Sequence, residues 1–384
     1  MYVAAKGGED AIQQAEKLYQ HLNGTLTPEL VRAIEINMPY LIDRVMGEGS
    51  LYAPELAALA VAQTGGDLYE AVLLLRAYRS TQPRIAYAAP VKPNEILTVR
   101  RISAAFKDIP GGQILGPTLD YSHRILRLDI LDNPQANSTE SHSEKPDDVK
   151  IADKPAAPTY PAVADWQRGQ GLMAQLPEQL PIDAADIPDV TADPVLFPAP
   201  REHRLQALSR ADTGGVLALG YASMRGYGLI HPTVNELRLA HAEVQVKHPV
   251  TGATFSAGRV RVSQAEVVTS GGENGKTGLT VGFAATLGWN EVKLIAASTL
   301  DMEMNQPSPH PAHTEEFVMY HTEAVEASGF CIHFKLPHYV TFASNVDNIR
   351  KVIATFYSSE EKSNGTEQPA ETTPETATPE QMPS

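Results

Sequence analysis

Proline is the residue that most limits what this 384-residue chain can fold into, because of where it falls. Eleven of the 29 prolines lie between Asn133 and Pro200, and each removes a backbone donor and fixes φ at about −65°. With little hydrophobic periodicity running through it, that stretch can hold neither a long helix nor a central strand. It reads as a connecting excursion draped over the surface, with a short helix near Ala164–Gln175. Foldable material is thereby divided into a block before it and a block after it. A second biased stretch, Ser358–Ser384, carries Glu360, Glu361, Glu367, Glu371, Glu375 and Glu380 against Lys362, with Met382 its one large apolar residue. It buries too little to offset ordering entropy and is expected to be a disordered acidic tail.

The two remaining blocks carry different patterns. Residues 1–132 read as mostly helical, with a periodic segment from Glu9 to Leu22 and a helical hairpin made of Ala53–Gln63 and Ala71–Tyr78. The first arm of that hairpin stops at Gly65-Gly66, and Asp67-Leu68-Tyr69-Glu70 opens the second as a capping box. In residues 201–357, Ala242–Lys247 and Gly258–Ser263 alternate around a turn at Pro249–Gly252, which predicts an antiparallel hairpin. Thr277–Phe283 is a further strand, and Asn290 caps a helix running to about Met304. The expected class is α+β: a helical N-terminal region, the 133–200 excursion, an antiparallel sheet with helices over 201–357, and a tail over 358–384.

Composition removes several functions. Hydrophobic residues make up 42% and charged residues 20%, which fits a globular chain rather than a disordered one. A single cysteine, Cys331, excludes an intrachain disulfide framework and a cysteine-built zinc finger. Met1–Gly8 has no basic stretch leading into an apolar one, and no uncharged apolar run reaches roughly 18 residues, so neither secretion nor a membrane span is expected. The formal charge of −15 argues against a nucleic acid partner. A soluble cytoplasmic protein is the expectation, and a few cations in one cleft suffice for a phosphorylated small molecule.

Four segments are candidates for chemistry. Arg100–Thr118 contains Lys107-Asp108-Ile109-Pro110-Gly111-Gly112-Gln113, a turn whose glycines can take φ > 0 and expose amides to a phosphate chain, with Arg100, Arg101 and Arg124 nearby. Walker-type spacing is absent, and on pattern alone an ordinary surface turn with solvated basic neighbours is favoured. Lys6-Gly7-Gly8 precedes a helix, but Glu9 and Asp10 already occupy the first turn and would repel an anion. Arg225-Gly226-Tyr227-Gly228, running on to His231, offers an aromatic for a base and a cation for a phosphate. A strand-edge turn explains the same letters equally well. His333 and His338 are five residues apart and could meet at one ion if Pro337 bends the chain. Two imidazoles would leave positions open for water, substrate or a partner.

Taken in order, Met1–Gly8, Arg100–Thr118 with Asp120-Tyr121-Ser122-His123-Arg124, Arg225–Pro232, Glu315-Glu316-Phe317-Val318 and His333–Val340 resemble the I-subunit family of the bacterial carbon–phosphorus lyase core complex. The similarity runs over Met1–Leu131 and Arg204–Tyr357 and passes over the proline-rich excursion and the tail. It implies a subunit that displaces adenine from ATP by methylphosphonate at ribose C1, giving ribose 1-methylphosphonate 5-triphosphate, with companion G, H and L subunits. Alone, such a subunit is a nucleosidase. The later radical step belongs to the J subunit and its iron–sulfur cluster, which one cysteine could not hold. A K subunit and a homodimer within a larger complex are also implied. By the same resemblance His333 and His338 bind a zinc-like metal near the J contact, and magnesium accompanies ATP.

Breaking the glycosidic bond builds positive charge on the ribose, while triphosphate and phosphonate bring several negative charges. Arg101, Lys107, Arg124 and Arg225, with Gly111, Gly112 and Tyr227, are the substrate-binding candidates by residue type. Asp108 or Asp120 could support the ribosyl cation or act as acid, and His123 or His231 could protonate adenine. The competing reading is a mainly non-catalytic scaffold that seats the J subunit.

Overall fold

The computed structural model describes residues 7–119, 124–126, 128–132, 160–175, 187–222, 225, 231–271, 278–335 and 342–364. Along the chain these form helices at Gly8–Asn23 (α1), Pro28–Asn37 (α2), Pro39–Gly49 (α3), Pro54–Gln63 (α4) and Leu68–Ser80 (α5), then strand Leu97–Ile102 (β1). Short helices Asp129–Asp132 (α6) and Val163–Gly169 (α7) follow, and then Arg201–Arg210 (α8) and Thr213–Ala222 (α9). Strands Thr233–Lys247 (β2), Thr254–Ser270 (β3) and Leu279–Leu287 (β4) lead into Glu291–Met304 (α10), Glu315–His321 (α11), Ala324–Ile332 (α12) and Phe342–Asn364 (α13). The architecture is α+β, and among the described residues no helix is long and apolar enough to cross a membrane. The chain divides into two units, Glu16–Phe330 and Met1–Ala15 with Cys331–Ser384.

In the larger unit the helices begin where local chemistry says they should. Pro28, Pro39 and Pro54 open α2, α3 and α4, where proline's missing amide is no loss and its φ is already helical. Thr27 Oγ1 accepts from Leu30 N at 3.2 Å, and Asp67 Oδ1 accepts from Tyr69 N and Glu70 N at 3.0 and 3.2 Å. Ile42, Met46, Ala57, Val61, Val72 and Leu75 bury one face of α3, α4 and α5 in a common cluster.

The sheet is antiparallel in the order β1-β2-β3-β4. The expected hairpin is present, with strands of 15 and 17 residues joined at His248–Ala253. One face carries Leu237, Ala265 and Ala284 against Leu294, Ala297 and Leu300 of α10, with Leu208 and Val216 beside them. Gly282 sits where α10 crosses β4, and a Cβ there would stand 2.0 Å from Ser298 O. The other face is polar in its middle, with Glu236, Arg238 and Glu266 buried.

Three expectations change. Beside its helices the N-terminal region holds one strand not expected there, Leu97–Ile102, which becomes the edge strand of the C-terminal sheet. The proline-rich excursion does not simply lie over the surface: Ala162, Val163, Ala164, Gln167, Val190 and Ala199 are buried. The helix in it spans Val163–Gly169, ending earlier than Gln175. In the smaller unit, α13 runs past Ser358 to Asn364, with the Ser358 and Ser359 hydroxyls donating back to Thr355 O and Phe356 O. Phe342, Val346, Ile349, Ile353 and Phe356 recur at helical spacing along α13 and are exposed.

Candidate functional site

The turn at Ile109–Gly112 is built by its own letters and held by two side chains. Gly112 N donates to Ile109 O at 2.8 Å, closing a four-residue turn with Pro110 second and Gly111 third. Gly111 has φ of 82° and Gly112 of 74°, the left-handed conformation that a type II turn requires at its third position and that glycine takes without strain. Gln113 ties the preceding loop: its Oε1 accepts from Ser103 N at 3.2 Å and its Nε2 donates to Lys107 O at 3.1 Å. Lys107 and Asp108 are exposed on that loop, as are Gly111 and Gly112. Among the described residues, neither Gly111 N nor Gln113 N donates a hydrogen bond.

Arg101, expected from residue type to face a ligand, is fully buried beneath the turn instead. It lies on β1 opposite Arg238 of β2. Its Nε donates to Glu236 Oε1, its Nη1 to Pro110 O at 2.5 Å and Gly112 O at 3.1 Å, and its Nη2 to Pro161 O at 3.2 Å. The guanidinium also sits 5.1 Å over the Tyr160 ring, and that ring lies against Gly111, where a Cβ would meet it at 2.0 Å. Arg238 completes the pair, donating to the same Glu236 oxygen at 2.7 Å and to Pro93 O at 2.6 Å.

Below the arginines the polar layer continues into α7. Glu236 Oε2 accepts from Val163 N at 3.2 Å and Glu266 Oε2 from Ala164 N at 3.1 Å. Gln167 and Asn235 exchange amide hydrogen bonds at 2.9 and 3.0 Å, and Asn235 also donates to Glu266 at 3.1 Å. Burial, together with the Glu236 charge beside it in register, pushes the Glu266 carboxyl up to about 7. None of Glu236, Arg238, Asn235 or Glu266 was picked out by sequence. The signal available was charge alternating with Leu237 and Leu239 along β2, a pattern that normally marks a solvent face.

The other candidates are separately placed. Arg100 is buried, with Nε 2.6 Å from Glu291 Oε1. Arg225 is exposed with its guanidinium 4.8 Å over the Tyr221 ring, and Arg124 and His231 are also exposed. His333 is half-buried on a single 3-10 turn, its ring 3.9 Å from that of Phe334. Asp120, His123, Tyr227 and His338 lie outside the described residues. Among the described residues no three or more His, Cys, Asp or Glu side chains gather as metal ligands. A groove of about 530 Å³ lined by Val31, Arg32, Glu35 and Leu56, and a hollow of about 450 Å³ lined by Pro188, Asp193 and His203, contain none of the candidates.

The model of the family described as bacterial phosphonate metabolism protein (PhnI) matches residues 1–356. A protein of Stutzerimonas stutzeri named putative C-P lyase subunit protein HtxH is 42% identical over 370 residues, covering 91% of this chain and 95% of its own. Two proteins named alpha-D-ribose 1-methylphosphonate 5-triphosphate synthase subunit PhnI are each 38% identical to this chain. The one from Rhizobium meliloti covers 92% of this chain and 95% of its own, and the one from Escherichia coli 92% and 98%. By a match that runs from the first residue through most of α13, the chain belongs to the PhnI family of bacterial phosphonate metabolism proteins.

Proposed function

We propose that this chain is the glycosyl-exchange subunit of a carbon–phosphorus lyase system. It displaces adenine from ATP by methylphosphonate at ribose C1, giving ribose 1-methylphosphonate 5-triphosphate, and is a nucleosidase, with water replacing the phosphonate, when alone. The observation that carries this reading is the similarity, over about nine-tenths of the chain, to two proteins named as synthase subunits for that product. The turn supports it, since Gly111 N and Gln113 N with the exposed Lys107 make the kind of amide-and-cation surface that takes a phosphate chain. Lys107, Arg124 and Arg225 offset the substrate's negative charge. Magnesium enters with ATP as part of the substrate.

The departing adenine needs a proton and the ribose needs a counter-charge while the bond breaks. Asp108 is exposed next to the turn and serves as counter-charge or acid. Asp120 is the second carboxyl candidate, and His123 and His231 are the imidazole candidates for protonating the base. The zinc-like ion is a separate part of the reading. His333 presents a half-buried imidazole, a donor zinc accepts, and with His338 it would hold the ion and leave positions for water, substrate or a partner chain. Bound there, the ion supplies Lewis-acid charge. The chain works in the cytoplasm as a homodimer with G, H, J, K and L companions.

A second reading, an assembly scaffold for the J subunit, is favoured by the exposed apolar row on α13. Purified chain incubated with ATP and assayed for adenine separates the two, since a scaffold releases none. Adding methylphosphonate and the companions then tests for transfer, read by phosphorus NMR of the product. For the metal, the His333→Ala, His338→Ala double variant is expected to lose bound zinc, and full occupancy in a metal assay would refute the site.

A further inference from the structure

We infer that Arg101 is a positioning residue that aims the Gly111 and Gln113 amides outward, with Glu236 fixing the aim, and that it does not itself touch the anion. The inference rests on the reading of this turn as a phosphate site and says how that site is made.

In a trans peptide the C=O and the following N–H point in opposite directions, and the Pro110–Gly111 and Gly112–Gln113 peptides are trans. Arg101 Nη1 draws Pro110 O and Gly112 O inward at 2.5 and 3.1 Å. Each inward carbonyl therefore turns its partner amide, Gly111 N and Gln113 N, to the opposite side. Gly112 N points back into the turn, on Ile109 O. One guanidinium nitrogen thus sets two outward donors, two residues apart on one side of the turn. Its own direction is fixed because Nε is held by Glu236 and Nη2 by Pro161 O. Glu236 is in turn held by Arg238 and by Val163 N. With no exposed surface on Arg101, an anion outside meets amides and Lys107, not the guanidinium. Lysine at this place keeps the charge but lacks the planar fork that reaches three carbonyls and a carboxylate together.

The test is titration calorimetry of the full chain with inorganic tripolyphosphate at two salt concentrations, alongside the Gly111 amide resonance in [15N]glycine-labelled protein. Arg101→Lys is expected to weaken binding about tenfold or more despite unchanged charge, because hydrogen bonds from a charged group are lost at two carbonyls. It is also expected to shift the Gly111 resonance before any ligand is added. Lys107→Ala, which removes a direct contact, weakens binding and flattens its salt dependence without moving that resonance. If Arg101→Lys does not fold, Glu236→Gln takes its place, with the same loss expected though Arg101 is intact. Wild-type affinity in Arg101→Lys or Glu236→Gln, with Lys107→Ala still weakened, overturns the positioning role and leaves the phosphate site standing. No binding by the wild-type chain overturns the phosphate site itself, and this inference with it.

Discussion

Replacing Glu266 by glutamine tests whether the polar layer under the sheet is held by a protonated acid. The carboxyl is buried, faces Glu236 across the β2–β3 register and is pushed up from 4.5 to about 7, burial being the larger cause and the Glu236 charge the second. A value raised in the folded state means that the native protein holds its proton where the unfolded chain has released it. The contribution is present in full below about pH 4.5 and is gone once pH has risen through about 7. At about 1.4 kcal/mol per pH unit the loss across that window comes to about 3 kcal/mol. Glutamine resembles the neutral acid, since Oε1 can still accept from Ala164 N and Asn235 Nδ2. Glu266→Gln should therefore match the wild type at pH 4.5 and exceed it by about 3 kcal/mol at pH 8. Urea unfolding followed by tryptophan fluorescence, with Trp166 on the helix that covers Glu266 and Trp289 just past the end of β4, measures both. Equal pH slopes for the two proteins, or a less stable variant at pH 8, would show that Glu266 is not the group being titrated.

Five other substitutions follow from packing and charge. Glu303, buried and raised to about 7 by that burial, stands 3.7 Å from His313 Nδ1; Glu303→Gln is expected to raise the urea midpoint above pH 7 and leave it unchanged at pH 5. Gly282→Ala drives a methyl into Ser298 O and Met302 and should cost about 3 kcal/mol. Gly252→Ala, with open space around its Cβ but φ of 69°, should cost about 1 kcal/mol, and thermal melts giving the reverse order would contradict the account of the α10–β4 contact. Lys107→Ala and Arg225→Ala, tested singly for adenine release from ATP, are each expected to raise KM about tenfold. A variant with unchanged kinetics leaves the list of substrate contacts.

What could be read from sequence was what is encoded locally. Pro110-Gly111-Gly112 specifies a type II turn whatever surrounds it, and Asp67 caps α5 with neighbours two and three residues away. Helix α10 starts where the sequence expects it, though without a side-chain cap. Asn290 precedes the helix, but its side chain donates to Asp43 O and Leu287 O rather than capping it. Strand β1 was missed because Arg100 and Arg101 look solvated in a string of their own. Both charges are answered from far along the chain, by Glu291 and by Glu236. The same non-local pairing shortened the predicted hairpin, since Glu236, Arg238 and Glu266 interrupt what an apolar alternation would have continued. Removing one such partner leaves a buried charge uncompensated and is far costlier than removing both, so the network behaves as one unit that no local window contains.

The proline bias that divides the sequence also explains what covers that network. A polar sheet face cannot be closed by an apolar helix, because buried guanidinium donors need acceptors. Segments rich in proline cannot join a ladder, so their carbonyls stay available for other partners. Pro93, Pro110 and Pro161 each give a backbone oxygen to Arg101 or Arg238. Directly after Pro161 the chain turns helical, and Val163 N and Ala164 N meet the Glu236 and Glu266 carboxyl groups. Within one short stretch of the excursion, Pro161 O thus answers both guanidiniums and first-turn amides answer the two carboxyl groups, while Pro93 and Pro110 contribute their carbonyls from outside it. The segment that looked least able to contribute to a core is suited to this half of it, where satisfied polarity rather than apolar area is what the sheet requires.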